Sequence, residues 1–145
     1  MSSSSPVSPK ARWDVDNFEI SEDGRTIAFV TNEAGLDRLS LLDVASGAIR
    51  PVINLPAGSI GNLDFAPCGP LGFALTSAKS PSDAYSLDPA TLQVTRWTES
   101  ETGGLDPNRN VEPELIEVKS FDGEAVSGFL YRPDPAKFPG KRPLI

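Results

Sequence analysis

Apolar and polar positions alternate along most of this chain with a period of two, and turn residues break the alternation at short intervals. Phe18 and Ile20 alternate with polar neighbours, Asp23-Gly24 supplies a turn, and Ile27 and Phe29 resume the pattern. A two-residue period around Asp-Gly is the strongest short-range signal for a β-hairpin. Leu39, Leu41 and Asp43 carry it on, Ser46-Gly47 turns the chain again, and AIRPVINLP reads as a fourth short strand. Four hairpin-joined strands within about 40 residues predict one antiparallel sheet.

The pattern then repeats. SIGNLDFAPCGPLGFALT matches the first hairpin and AYSLDPATLQVTRWT the second. Gly24 and Gly69, Asp43 and Asp88, Ile20 and Phe65, and Leu42 and Leu87 all stand 45 positions apart. Phe29 instead matches Phe73, which predicts a one-residue deletion in the second unit's first turn. A four-strand unit recurring every ~40–45 residues is the signature of a β-propeller blade. The competing reading is two unrelated meanders in a sandwich. The blades are expected at about 17–56 and 62–98, within a region spanning 13–98. A closed propeller needs roughly four to eight blades, so two blades are expected to be the end of a longer one.

Residues 99–113, ESETGGLDPNRNVEP, are polar, turn-rich and aperiodic, and predict a linker in which Gly103-Gly104 supply flexibility. Beyond it, Glu114–Lys119 and Ala125–Arg132 read as two amphipathic strands around an Asp122-Gly123 turn. Pro143-Leu144-Ile145 looks like the opening of a third strand, so a domain is expected to begin at 114 and be cut short at 145. Residues 1–12, rich in Ser and Pro, read as a disordered tail.

Composition narrows the function. Twelve Gly and 14 Pro favour short strands and turns over long helices. A net charge of −7 lacks the basic footprint that nucleic acid requires, and disfavours anionic membrane surfaces equally. No stretch approaches the ~20 apolar residues of a spanning helix. The N-terminus has no apolar signal region, and with a lone cysteine this points to the cytoplasm.

Candidate chemistry is sparse. Cys68 has no partner for a disulfide or a thiolate metal site and no base to activate it, because the chain contains no histidine. The missing histidine also removes the usual general base of a serine hydrolase. Gly58-Ser59-Ile60-Gly61 has the wrong spacing for G-x-S-x-G. Phosphate-binding glycine motifs are missing. Glu99, Glu101, Glu112 and Glu114 match no ligand loop and read as solvated linker charges. Asp14-Val15-Asp16-Asn17 begins like a calcium loop but has Glu19 where the loop needs glycine. Trp13, Trp97 and Tyr131 are expected to pack rather than to form ligand platforms. No catalytic, cofactor-binding or metal-binding residue is therefore assigned, and no cofactor is expected.

Repeats of the form I-S-x-D-G-R-x-I-A-F followed by L-x-L-x-D and S-G resemble the propeller of prolyl-oligopeptidase-family serine peptidases, the acylaminoacyl-peptidase branch most closely. ELIEVKSFDGEAVSGFLYRP, then a Lys/Pro loop and RPLI, is similar to that family's lead-in to its α/β-hydrolase domain. The resemblance covers roughly Phe18 to Ile145. It implies a mainly β chain: two four-stranded antiparallel propeller blades followed by the opening hairpin of a truncated α/β-hydrolase domain. It also implies a peptide substrate, blades that gate a catalytic centre, and a triad lying wholly downstream. The alternative is a stand-alone propeller-derived module that binds a partner, or itself, through exposed strand edges.

Overall fold

In the computed structural model, residues 13–67, 69–141 and 143 are described. They form ten strands in three antiparallel sheets. Sheet 1 holds β1 (Val15–Ile20), β2 (Thr26–Glu33), β3 (Leu36–Asp43) and β4 (Ile49–Pro51), in that spatial order. Sheet 2 holds β5 (Gly58–Phe65), β6 (Leu71–Ser77), β7 (Ser80–Leu87) and β8 (Val94–Arg96), again in sequence order. A two-stranded hairpin, β9 (Glu114–Lys119) and β10 (Ala125–Leu130), stands by itself.

The two larger sheets repeat each other's strand order and turn hydrogen bonds. In sheet 1 the Ser21 N–H donates to Thr26 O and the Gly24 N–H to Ser21 O. In sheet 2 the Ala66 N–H donates to Pro70 O and the Gly69 N–H to Ala66 O. Gly24 thus matches Gly69, but Thr26 matches Pro70, so the expected deletion falls at the position of Arg25. From there Ile27 matches Leu71 and Phe29 matches Phe73. The third and fourth strands return to the 45-residue offset: the Asp43 N–H donates to Ala48 O, and the Asp88 N–H to Gln93 O.

Strand alternation gives each sheet two faces. Ala28, Val30, Leu39 and Leu41 of sheet 1, with Val52, face Ile60, Leu63, Leu71, Phe73 and Leu75 of sheet 2 in one buried cluster. A bulge between Gly61 and Asp64, with Asn62 in the left-handed region (φ 54°), turns Leu63 to the same side as Ile60. The directly opposed Phe73 and Tyr85 rings stack at 5.6 Å, with an interplanar angle of 14°. Two polar ties cross between the sheets. Asp37 Oδ2 accepts from the Ile60 N–H at 2.8 Å, and the Arg50 guanidinium donates to Pro89 O at 2.7 Å.

Several expectations need amendment. The first strand of sheet 2 starts at Gly58, where Gly58 and Ser59 pair with Ser77 and Thr76. Trp13, Trp97 and Tyr131 are exposed, not packed. The tail at 1–12, Cys68, Leu144 and Ile145 lie outside the described residues. Pro143, which is described, is not in a strand.

Candidate functional site

The most developed polar constellation sits at the end of sheet 2, around Asp83. Asp83 lies on β7 opposite Leu75, at a position whose alternation points inward, and is 1% exposed. Its carboxylate accepts from the Ser80 hydroxyl, the Arg96 guanidinium at 2.6 Å, the Thr98 hydroxyl at 2.9 Å and the Ser100 N–H at 2.7 Å. A buried charge is tolerable only when paired and fully bonded. The Ser80 hydroxyl first, then Thr98, Ser100 and Arg96, hold this carboxyl far below the usual carboxylate range against the opposing effect of burial. Asp83 therefore stays ionised with its lone pairs in use. It fixes where the chain leaves sheet 2, and is poorly placed to accept a proton from a substrate.

The linker it anchors returns to the same β-hairpin. Asp106 caps a short 3-10 turn, Pro107–Arg109, by accepting from the Asn108 N–H. The Asn110 side-chain amide then donates to Ala78 O at 2.9 Å, and Lys79 pairs with Glu112 at 2.9 Å. Residues 98–112 thus leave beside β7 and come back to the β6–β7 turn. Past the linker, the Phe129 ring of β10 lies against Gly35 in the β2–β3 turn, where a Cβ would stand 2.8 Å from it. Gly35 also has φ 93°, so two independent constraints select glycine there.

Two clefts open between the sheets at the opposite end. One, of about 440 Å³, is lined by Ser21, Glu22, Asp23, Phe65 and Pro67 among others. The adjoining one, of about 540 Å³, is lined by Arg50, Pro70, Asp88 and Pro89. Their polar groups are engaged locally: Asp23 accepts from Ser21 Oγ and the Arg25 N–H, and Asp88 from the Ala90 N–H. These bonds lower both carboxyls, the Ser21 hydroxyl leading for Asp23 and the Ala90 amide for Asp88.

The acidic residues weighed in the sequence lie apart. Glu112 pairs with Lys79, Glu114 pairs with Arg132 at 2.8 Å, and Glu101 accepts from the Gly103 N–H. Asp16 falls inside β1. Among the described residues, no group of His, Cys, Asp and Glu is placed to hold a metal. No helix among them is long and apolar enough to cross a membrane. The Asp83 cluster escaped sequence reasoning. Its one sequence signal is an acidic residue at an inward position of a strand.

No protein-family model matches the chain, and no curated protein matches it. Solved structures do. A prolyl endopeptidase, analysed for the role of inter-domain dynamics in catalysis and specificity, superposes with a TM-score of 0.68. The match has 17% identity and covers 85% of this chain and 18% of that one. Prolyl oligopeptidase B from Galerina marginata, bound to a 35mer hydrolysis and macrocyclization substrate, gives 0.66 at 14% identity, over 81% of this chain and 17% of its own. A puromycin hydrolase gives 0.61 at 20% identity, over 74% and 16%. At these identities the likeness concerns fold. The chain shares the mainly β, antiparallel architecture of a region of propeller-containing prolyl-oligopeptidase-family peptidases. It spans under a fifth of their length.

Proposed function

We propose that this chain is a peptidase-related segment from the junction of a prolyl-oligopeptidase-type serine peptidase, of the acylaminoacyl-peptidase-like kind. Sheets 1 and 2 are two propeller blades, residues 99–113 the linker, and β9–β10 the hairpin that opens the hydrolase domain. In this reading the segment is non-catalytic. The blades screen access to a centre where a serine, assisted by histidine and aspartate, attacks a peptide or acyl-peptide carbonyl and backbone amides stabilise the oxyanion. Those residues belong to sequence outside 1–145, and the substrate is the parent enzyme's. The cytoplasm is the proposed setting.

The observation that supports this most is the order of parts. Two equivalent sheets in series are followed by a hairpin that pairs with neither, and a prolyl endopeptidase structure superposes on 85% of this chain. The test is labelling of the native gene product with a serine-reactive fluorophosphonate, followed by intact mass and peptide mapping. The expected product is several times larger than 15.5 kDa, labelled on a serine outside these residues. A native product of this size, or a label on a serine within it, would refute the assignment. A second reading, a non-catalytic self-associating module, is favoured by one specific feature: Phe18, Ile20 and Ile49 stand exposed on one face of sheet 1.

A further inference from the structure

Residues 98–112 form a loop whose two ends close on one hairpin, in the manner of an Ω-loop. The first end is bound at β7. The Thr98 hydroxyl and the Ser100 N–H donate to Asp83 Oδ1 at 2.9 and 2.7 Å, and the Ser100 hydroxyl donates to Ser82 O. The second end is bound beside the β6–β7 turn. There the Asn110 side-chain amide donates to Ala78 O, and Lys79 Nζ pairs with Glu112 Oε1, each at 2.9 Å. Between the ends the chain bends back at Gly103 and Gly104, both left-handed (φ 65° and 80°), and again at the turn capped by Asp106. The two glycines thus fold the segment onto itself, and do not leave it free.

No residue from 98 to 113 is buried, and Leu105 is 74% exposed. The loop therefore has no apolar anchor and is held by the polar bonds at its ends. Those ends are unequal. Asp83 is buried and takes two further donors, Ser80 and Arg96, so releasing Thr98 and Ser100 would leave a buried carboxylate short of partners. At the second end the Lys79 and Glu112 side chains are 46% and 66% exposed. A cleft of about 460 Å³, lined by Ala78, Asn110, Val111 and Arg132 among others, lets water compete for the Asn110–Ala78 bond. An exposed ion pair is weak and is screened by salt, whereas a buried one is screened far less.

We infer that residues 98–112 are a strap that opens from its C-terminal end, with Lys79–Glu112 as a salt-sensitive latch and Asp83 as the fixed pivot. Closed, the strap holds Glu112 beside the β6–β7 turn, and only Pro113 separates it from β9. Open, the β9–β10 hairpin is tethered to sheet 2 from Ser100 instead, with the Phe129 ring against Gly35 as its contact on sheet 1. The latch thereby sets how closely the hairpin is held to sheet 2. Such an opening is local, and leaves the shared core and both ladders intact. The inference concerns contacts within residues 78–113 and does not use the peptidase assignment, whose labelling test can fail or succeed independently.

Millisecond hydrogen exchange of the native gene product, read by mass spectrometry over peptides covering 103–112 and 80–100, tests it. The Leu105, Arg109 and Asn110 N–H groups are bonded inside the strap and report its opening, while the Ser100 N–H reports the pivot. Between low salt and about 1 M salt, exchange in 103–112 is expected to quicken about two- to fivefold, the factor an exposed ion pair supplies, while 80–100 stays constant. Lys79→Gln is expected to show that rise already at low salt and to lose the salt dependence. Lys79→Arg keeps the charge and is expected to restore both the protection and its salt dependence. Asn110→Ala is expected to quicken 103–112 as well, with 80–100 as in wild type. Strap exchange indifferent to salt, a Lys79→Gln variant indistinguishable from wild type, or 80–100 quickening together with 103–112 would each overturn the proposal.

Discussion

Leu71→Ala tests whether sheets 1 and 2 share one core in solution. Leu71 is 0% exposed, in the row Phe65–Leu71–Leu87–Val94 that lies against sheet 1. The substitution removes three carbons, worth about 2.4 kcal/mol at ~0.8 kcal/mol per buried methylene. The cavity term adds to this, because strands on either side are pinned by their ladders and cannot collapse inward. A total cost of about 3–4 kcal/mol is expected, within the ~2–5 kcal/mol span of buried leucine truncations. Urea unfolding followed by tryptophan fluorescence measures it. At a slope of about 1.5 kcal/mol per molar, the midpoint should fall by ~2 M. Ile53→Ala is the control: Ile53 is 82% exposed, and its loss should cost under about 0.5 kcal/mol. Equal midpoints for the two variants would refute the shared core, and with it the reading of the sheets as stacked equivalents.

Three further outcomes are expected. Asp37→Ala removes the acceptor of the Ile60 amide between the sheets and should cost about 1–2 kcal/mol by the same assay, whereas Lys79→Gln breaks an exposed ion pair with Glu112 and should cost at most ~1 kcal/mol. The melting temperature should fall as pH drops below about 4, because Asp23, Asp43, Asp83, Asp88 and Asp122 are all lowered in the folded chain. The unfolded chain then binds more protons, so the contribution is complete above the unfolded carboxyl value of ~3.9 and is lost as pH falls through the folded values. Asp83→Asn should lower the melting temperature at pH 7 and flatten this dependence, since Asp83 is the most strongly lowered; a slope identical to wild type would count against its role.

Local signals in the sequence determined the hairpins. Period-two alternation, the Asp-Gly turns and the 45-residue offset reflect contacts between residues close in the chain, where backbone geometry and turn chemistry act without tertiary help. Even the one-residue slip in the first turn was legible from the match of Phe29 with Phe73, and the turn hydrogen bonds then placed it at Arg25. Which face of a sheet is covered was another matter. Phe18 and Leu63 look alike in pattern, yet one is exposed and the other buried, because burial depends on what another segment brings to that face. Asp83 draws its donors from Arg96, Thr98 and Ser100, which reach it only once β7 and β8 pair. Trp97 reads as core by composition. The tertiary structure sets it on an outward face of sheet 2, since the side chains beneath it, Ala84 and Ser86, are too small to enclose it.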